Sequence, residues 1–130
     1  MPADLELLWT SKPKDPTGAY VNLSTKESKQ LIDEHPEVLV LDVRRPNEYT
    51  EEPGHIKGAK LIPVQEIEQR WKEVEAEKTR PVLVHCYSGG RSRAACQFLA
   101  KQGFTRLFHM PGGMMDWEDE GFPIIKGEAP

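Results

Sequence analysis

Short apolar runs alternate with segments of helical periodicity along this 130-residue chain. "EVLVLDV" (37–43) and "PVLVHC" (81–86) are near-continuous apolar stretches, the pattern of strands buried on both faces. "FTRLFHM" (104–110) predicts a further short strand. Between them, "STKESKQLIDEH" (24–35) opens with a capping box, Ser24 and Glu27, and continues as a short amphipathic helix. "PVQEIEQRWKEVEAE" (63–77) places Val64, Ile67, Trp71 and Val74 at helical spacing. "RSRAACQFLAKQG" (91–103) predicts a helix ended by Gly103, with Lys101 in its last turn where a cation suits the dipole. "RRPNEYTEEPGHIKGAKLI" (44–62), cut by prolines and glycines, reads as loop with one turn of helix, and "PGGMMDWEDEGFPI" (111–124) as a turn and a small last helix. Strands joined by helical crossovers this long imply an α/β fold: a central, mostly parallel sheet with helices on both faces.

Residues 1–20, ending "SKPKDPTGAY", read as an N-terminal arm that Leu5, Leu7, Leu8 and Trp9 could dock onto the body. One domain then spans residues 21–126, and 127–130 form a C-terminal tail. The net charge is −4, with acids gathered in "NEYTEE", "EIEQRWKEVEAE" and "DWEDEG", most simply solvated faces. No basic stripe suits nucleic acid, and no apolar run or polybasic helix suits a membrane. The acidic start "MPADLELLWTSK" does not resemble a secretory signal, so a cytoplasmic protein is expected. His35, His55, His85 and His109 are scattered and no CxxC pair occurs, so neither a metal site nor a cofactor is expected.

The candidate chemistry lies in "HCYSGGRSR". Cys86 stands at the carboxyl end of a buried strand, where open parallel sheets collect ligands. Tyr87, Ser88, Gly89 and Gly90 can fold tightly and turn their N–H groups inward, and the helix starting near Arg91 and Ser92 adds its unsatisfied donors. Such a cup binds an anion and favours the thiolate of Cys86; a depression of ~2 pKa units would make most of a cysteine with ordinary pKa ~8.5 ionised at neutral pH. Cys96, about two turns into the next helix among Ala94, Ala95, Phe98 and Leu99, reads as packing and lies too far away for a disulfide. Strand alternation points His85 away from Cys86 as a satisfied core histidine. His55 and Trp117 also read as structural, with the Gly112–Gly113 turn near the pocket edge.

Taken together, "LVLDVRRPNEY…GHIKGAKLIP", "LVHCYSGGRSRAAC" and "MPGGMMDWEDEGFPI" resemble a single-domain rhodanese of the thiosulfate sulfurtransferase family over roughly residues 21 to 126. The resemblance implies that Cys86 attacks the outer sulfur of a small anionic donor, thiosulfate or a persulfide, and holds it as a persulfide cradled by Tyr87 to Arg91. A thiol, a carrier protein or, in vitro, cyanide then accepts the sulfur. Asp42 and Arg44 match family-pattern residues near the pocket floor, where Asp42 suits a structural task such as bonding loop N–H groups. Arg91 shapes the loop or contacts the donor; Arg93 contacts the donor or is a solvated helix residue. The four residues "TEEP" between Tyr49 and Gly54 are longer than the family's usual connection and put acid at the pocket rim.

Two rival readings stand beside this one. A cysteine phosphatase would need a larger ring, and only four residues separate Cys86 from Arg91. A non-catalytic partner-binding module typically lacks the cysteine that this chain keeps. A monomer is the default for a single domain of this size.

Overall fold

A computed structural model describes residues 3–127 of the chain. Met1 and Pro2 of the expected arm, and residues 128–130 of the expected tail, lie outside the described residues. Five strands, β1 (Tyr20–Asn22), β2 (Leu39–Asp42), β3 (Lys60–Leu61), β4 (Val82–His85) and β5 (Leu107–His109), form one sheet in the order β1-β5-β4-β2-β3. Every pairing in it is parallel. Six α-helices accompany it: α1 (Ala3–Ser11), α2 (Thr25–Glu34), α3 (Pro46–Thr50), α4 (Ile67–Arg70), α5 (Gly90–Lys101) and α6 (Gly113–Asp119).

Alternation along the strands divides the core into two layers. Val21, Val40, Leu83 and Phe108 pack with Leu5, Leu31, Met114 and Trp117 from α1, α2 and α6. Leu41, Val82, Val84 and Leu107 pack with Ile67, Ala95, Cys96 and Leu99 from α4 and α5. The sheet is therefore covered on both faces, which is why its central strands read as unbroken apolar runs. The capping box of α2 forms as expected: the Glu27 N–H donates to the Ser24 hydroxyl and the Ser24 N–H to the Glu27 carboxylate.

Four stretches differ from the pattern. Residues 3–11 of the expected arm are helical, with Leu5 and Trp9 buried, while Leu7 is 65% exposed. The chain then turns at Asp15, whose carboxylate accepts the N–H groups of Thr17, Ala19 and Tyr20 and so delivers the chain into β1. β1 and β3, three and two residues long, are too short to show a period and exist because they pair with β5 and β2. Finally, residues 64–77 are not one helix: a 3-10 turn, Val64–Glu66, leads into the single α-turn α4, and a 3-10 stretch, Trp71–Glu77, follows. Ile67 and Val74 still reach the core. Glu73, Glu75 and Glu77 stand where a continuing helix would place its negative end, which disfavours extending it.

In register, Asp42 stands beside His85, and His109 lies between Val84 on one side and Asn22 on the other. The carboxyl ends of β1, β5, β4 and β2 thereby form one row, and the cysteine loop rises from its middle.

Candidate active site

Cys86 follows β4 directly and is 1% exposed, on the face covered by α5. The chain after it turns tightly because Gly89 adopts φ 103°, a left-handed conformation, and caps α5. No side chain could replace that hydrogen: a Cβ there would lie 2.8 Å from the carbonyl oxygen of Pro111. The turn aims the Gly89 N–H at the Cys86 sulfur over 3.1 Å, and the Ser92 hydroxyl meets the same sulfur at 3.2 Å. Burial by itself would raise the thiol. The Ser92 hydroxyl and the N–H groups of Ser92, Gly89 and Ser88 outweigh burial and hold Cys86 below the ordinary cysteine range. Cys96 has no such donors and burial pushes its thiol up, so it is inert packing.

The loop is fastened from below by the start of α6. The Met114 N–H donates to the carbonyl of Cys86 at 2.9 Å and the Met115 N–H to that of Tyr87 at 3.0 Å. Gly113 makes this approach possible, with φ 61° and no side chain: a Cβ would fall 2.3 Å from the Tyr87 oxygen. The Gly112–Gly113 turn is thus a wall of the cysteine loop. Gly113→Ala is expected to cost ~2–4 kcal/mol through strain and overpacking and to lower Tm by about 10 °C. Thermal unfolding checks it, and a native Tm would mean that this contact does not hold the loop.

The other expected site residues separate into distinct tasks. Arg91 forms a two-pronged pair with Glu48 of α3, at 2.6 and 3.0 Å, which holds the Glu48 carboxyl below its usual range. It therefore braces the loop against α3. Asp42 and Arg44 are both fully buried and paired. The guanidinium donates through Nε and a terminal nitrogen to the two Asp42 oxygens at 2.9 and 2.7 Å, and onward to the carbonyls of Gly54 and Glu48. Of the loop N–H groups, Asp42 binds that of Arg44. Arg44 pins the 44–54 connection to the sheet.

His85 needs a correction. It points away from Cys86 with Nδ1 3.3 Å from the Cys86 carbonyl oxygen, but its Nε2 has no hydrogen-bond partner and stands 3.8 Å from Asp42, so it is not a satisfied histidine. Burial pushes it down, and it is neutral at pH 7. His55, by contrast, is buried with Nδ1 2.7 Å from the Tyr49 carbonyl oxygen and its ring stacked on Tyr49 at 3.6 Å.

Two cavities flank the loop and differ in charge. One, of about 1010 Å³, includes Ser88, Gly89, Gly90, Arg93 and His109 in its lining. Its acid, Asp15, is occupied by N–H groups of its own turn. The other, of about 380 Å³, is lined by Glu48, Glu52, Pro53, Tyr87 and Glu118, so the "TEEP" segment does bring acid beside the loop. Among the described residues, the one His/Cys/acid cluster compact enough for a metal is Asp4, Glu34 and His35 at the surface, where both His35 nitrogens already contact carboxylates. No helix among the described residues is long and apolar enough to cross a membrane.

Asn22 and His109 were not among the sequence candidates. His109 lies on the Cys86 side of the sheet, with Nε2 2.7 Å from the Ser92 hydroxyl and Nδ1 2.9 Å from the Asn22 side-chain oxygen. No local motif marks either residue, because parallel pairing of β1 with β5 brings them together.

A parallel α/β sheet whose central strand ends in a buried cysteine held by loop donors defines a domain built around one sulfur. Comparison with known families places it: the rhodanese-like domain matches residues 24–120, and the chain belongs to that family. It is 33% identical over 107 residues to a sulfurtransferase of Allochromatium vinosum, covering 82% of this chain and 96% of that protein. A thiosulfate sulfurtransferase, GlpE, of Pseudoalteromonas translucida is 32% identical over 100 residues, covering 77% and 90% of the two chains. The crystal structure of a rhodanese-related protein from Thermoplasma volcanium superposes with a TM-score of 0.68 at 31% identity, over 80% of this chain and 96% of that one.

Proposed function

We propose that this chain is a sulfurtransferase that carries a sulfane sulfur on Cys86, taking it from thiosulfate or a persulfide and giving it to a thiol or carrier protein. The observation that carries the reading is the Cys86 sulfur, held in a one-turn cup by the Gly89 N–H and the Ser92 hydroxyl and depressed toward the thiolate. With thiosulfate, the thiolate attacks the outer sulfur, a new S–S bond forms, and the old one breaks with its electron pair leaving on sulfite. The persulfide anion that results is the species loop donors stabilise, as an oxyanion hole stabilises oxygen. A thiophile such as cyanide then attacks the outer sulfur and leaves Cys86 as thiolate, so charge and sulfur balance over the cycle.

The charge of the flanking cavities supports entry of an anion from the Arg93 side, since the opposite cavity presents Glu48, Glu52 and Glu118. Only four residues separate Cys86 from Arg91, which favours a sulfur-sized ring over a phosphate-sized one. Intact-protein mass spectrometry tests the reading. After incubation with thiosulfate, the chain is expected to gain the mass of one sulfur atom and to lose it on addition of cyanide. A chain that gains no mass from thiosulfate or from a small-molecule persulfide, while its cysteine still alkylates, would end the proposal.

A further inference from the structure

Cys86 is almost closed to solvent, and it is not among the residues lining either flanking cavity. A thiol that must ionise there needs a route for its proton. One continuous chain of hydrogen bonds leaves the sulfur: 3.2 Å to the Ser92 hydroxyl, 2.7 Å from that hydroxyl to His109 Nε2, and 2.9 Å from His109 Nδ1 to the Asn22 side-chain oxygen. Ser92 and His109 are buried, and the far end, His109 with exposed Asn22, lines the cavity of about 1010 Å³. The chain therefore spans from the closed sulfur to an open space.

We propose that Ser92, His109 and Asn22 form a proton relay that discharges the Cys86 thiol into this cavity, making His109 a positioning residue for a sulfur it does not touch. The inference rests on Cys86 acting as a nucleophile, as in the sulfurtransferase reading.

The polarity of the chain explains how it works. With Cys86 as a thiol, S–H donates to the Ser92 oxygen, Ser92 O–H donates to His109 Nε2, and Nδ1–H donates to Asn22. On ionisation the sulfur proton moves to the Ser92 oxygen as the Ser92 proton moves to Nε2. The Nδ1 proton passes to water in the cavity, and the Asn22 amide turns to offer an N–H to Nδ1. One proton leaves the protein, the imidazole ends neutral, and all three hydrogen bonds survive with their direction reversed. The thiolate then accepts the Ser92 O–H. Burial first, and Arg93 next, push His109 down to about 4, so at neutral pH its ring has the free lone pair that the first state requires.

Without His109 the Ser92 hydroxyl has a competing acceptor, the Gly89 carbonyl at 3.2 Å, and would turn from the sulfur. The charged and titratable groups around the relay are Asp15 from the preceding turn, Tyr20 of β1, His85 of β4, and Arg91, Arg93 and Cys96 of α5. The Tyr20 ring stands edge-on to His109 at 5.3 Å.

The test is the pH profile of Cys86 alkylation by iodoacetamide, followed by intact mass on the full chain. It reads thiolate content without requiring sulfur transfer. His109→Ala is expected to move the inflection upward and to slow alkylation at pH 7 about fivefold, the effect of one misdirected hydrogen bond. Imidazole in the buffer is expected to restore the profile, since the vacated ring site borders the cavity. His109→Phe keeps a ring against Tyr20 but no nitrogen; it should show the same shift with no rescue, and it stands alone as the test if the alanine variant does not fold. An unchanged profile in either variant overturns the relay. So does a shift in His109→Ala that imidazole leaves untouched, because that would be packing. Should the native chain take up no sulfur from thiosulfate or from a small-molecule persulfide while these shifts appear, the sulfurtransferase reading fails and the relay stands.

Discussion

Cys86→Ser is expected to fold normally and to gain no sulfur from thiosulfate. The serine oxygen would accept the same Gly89 N–H that now reaches the sulfur at 3.1 Å, so the loop retains its geometry and Tm should move by no more than a few degrees. What disappears is the nucleophile. A hydroxyl in this cup does not ionise near neutral pH, whereas the donors of Ser88, Gly89 and Ser92 hold the Cys86 thiol below its ordinary value. Because Cys96 is buried without donors and its thiol is pushed up, it offers no alternative carrier. Mass spectrometry of the variant beside the native protein checks this. A full sulfur gain in Cys86→Ser would place the sulfur elsewhere and defeat the mechanism. The same pair, assayed on an aryl phosphate, should show no Cys86-dependent hydrolysis; if it does, the short ring accepts phosphate and the reaction class changes.

Asp42→Ala is expected to produce the largest loss of stability, ~3–5 kcal/mol, because it leaves the Arg44 guanidinium buried without its counter-charge. Both side chains are at 0% exposure, so water cannot take over the role of the carboxylate. For a domain of this size the loss corresponds to a fall in Tm of roughly 10–20 °C. Burial alone would raise the Asp42 carboxyl. His85 and Arg44 outweigh it and hold Asp42 below the usual carboxylate range. His85 is itself neutral at pH 7, so the cation responsible there is Arg44 with its two bonds.

The sign for acid follows. A depressed carboxyl contributes stability above its unfolded pKa, near 4, and that contribution is lost as pH falls through the lower folded value. Native protein should therefore lose stability below about pH 4 more steeply than Asp42→Ala. Urea unfolding at a series of pH values measures both effects. A variant within 1 kcal/mol of native, or with the same acid slope, would mean that the 44–54 connection is held by something other than this pair.

These two residues also show where reading along the chain succeeds. β2 and β4 announce themselves as apolar runs because both of their faces are covered, and the Ser24–Glu27 box marks the start of α2 within four residues. The cysteine loop was equally legible: a strand end, a pair of glycines and a helix start are contiguous, so the direction of the Gly89 N–H follows from local geometry.

Where the partners lie far apart in sequence, nothing local can report them. Glu48 and Arg91, 43 residues apart, meet because α3 is folded against the loop, so of the two tasks the sequence allows Arg91, shaping the loop or contacting the donor, only the tertiary structure reveals the brace. Asn22 and His109, 87 residues apart, meet only through the register of β1 on β5. Residues 1–20 read as an arm because they are rich in Pro, Lys and Gly, and the docking of α1 rests on Leu5 and Trp9 finding the sheet. By itself, then, the sequence determined the alternating architecture, the cysteine at a buried strand end and the turn of donors that follows it, since these arise from hydrophobic period and from backbone turns only a few residues long. The tertiary structure alone decided which charges brace the loop, which cavity carries the arginine, and which histidine reaches the sulfur through Ser92, because those depend on strand order and register in a parallel sheet.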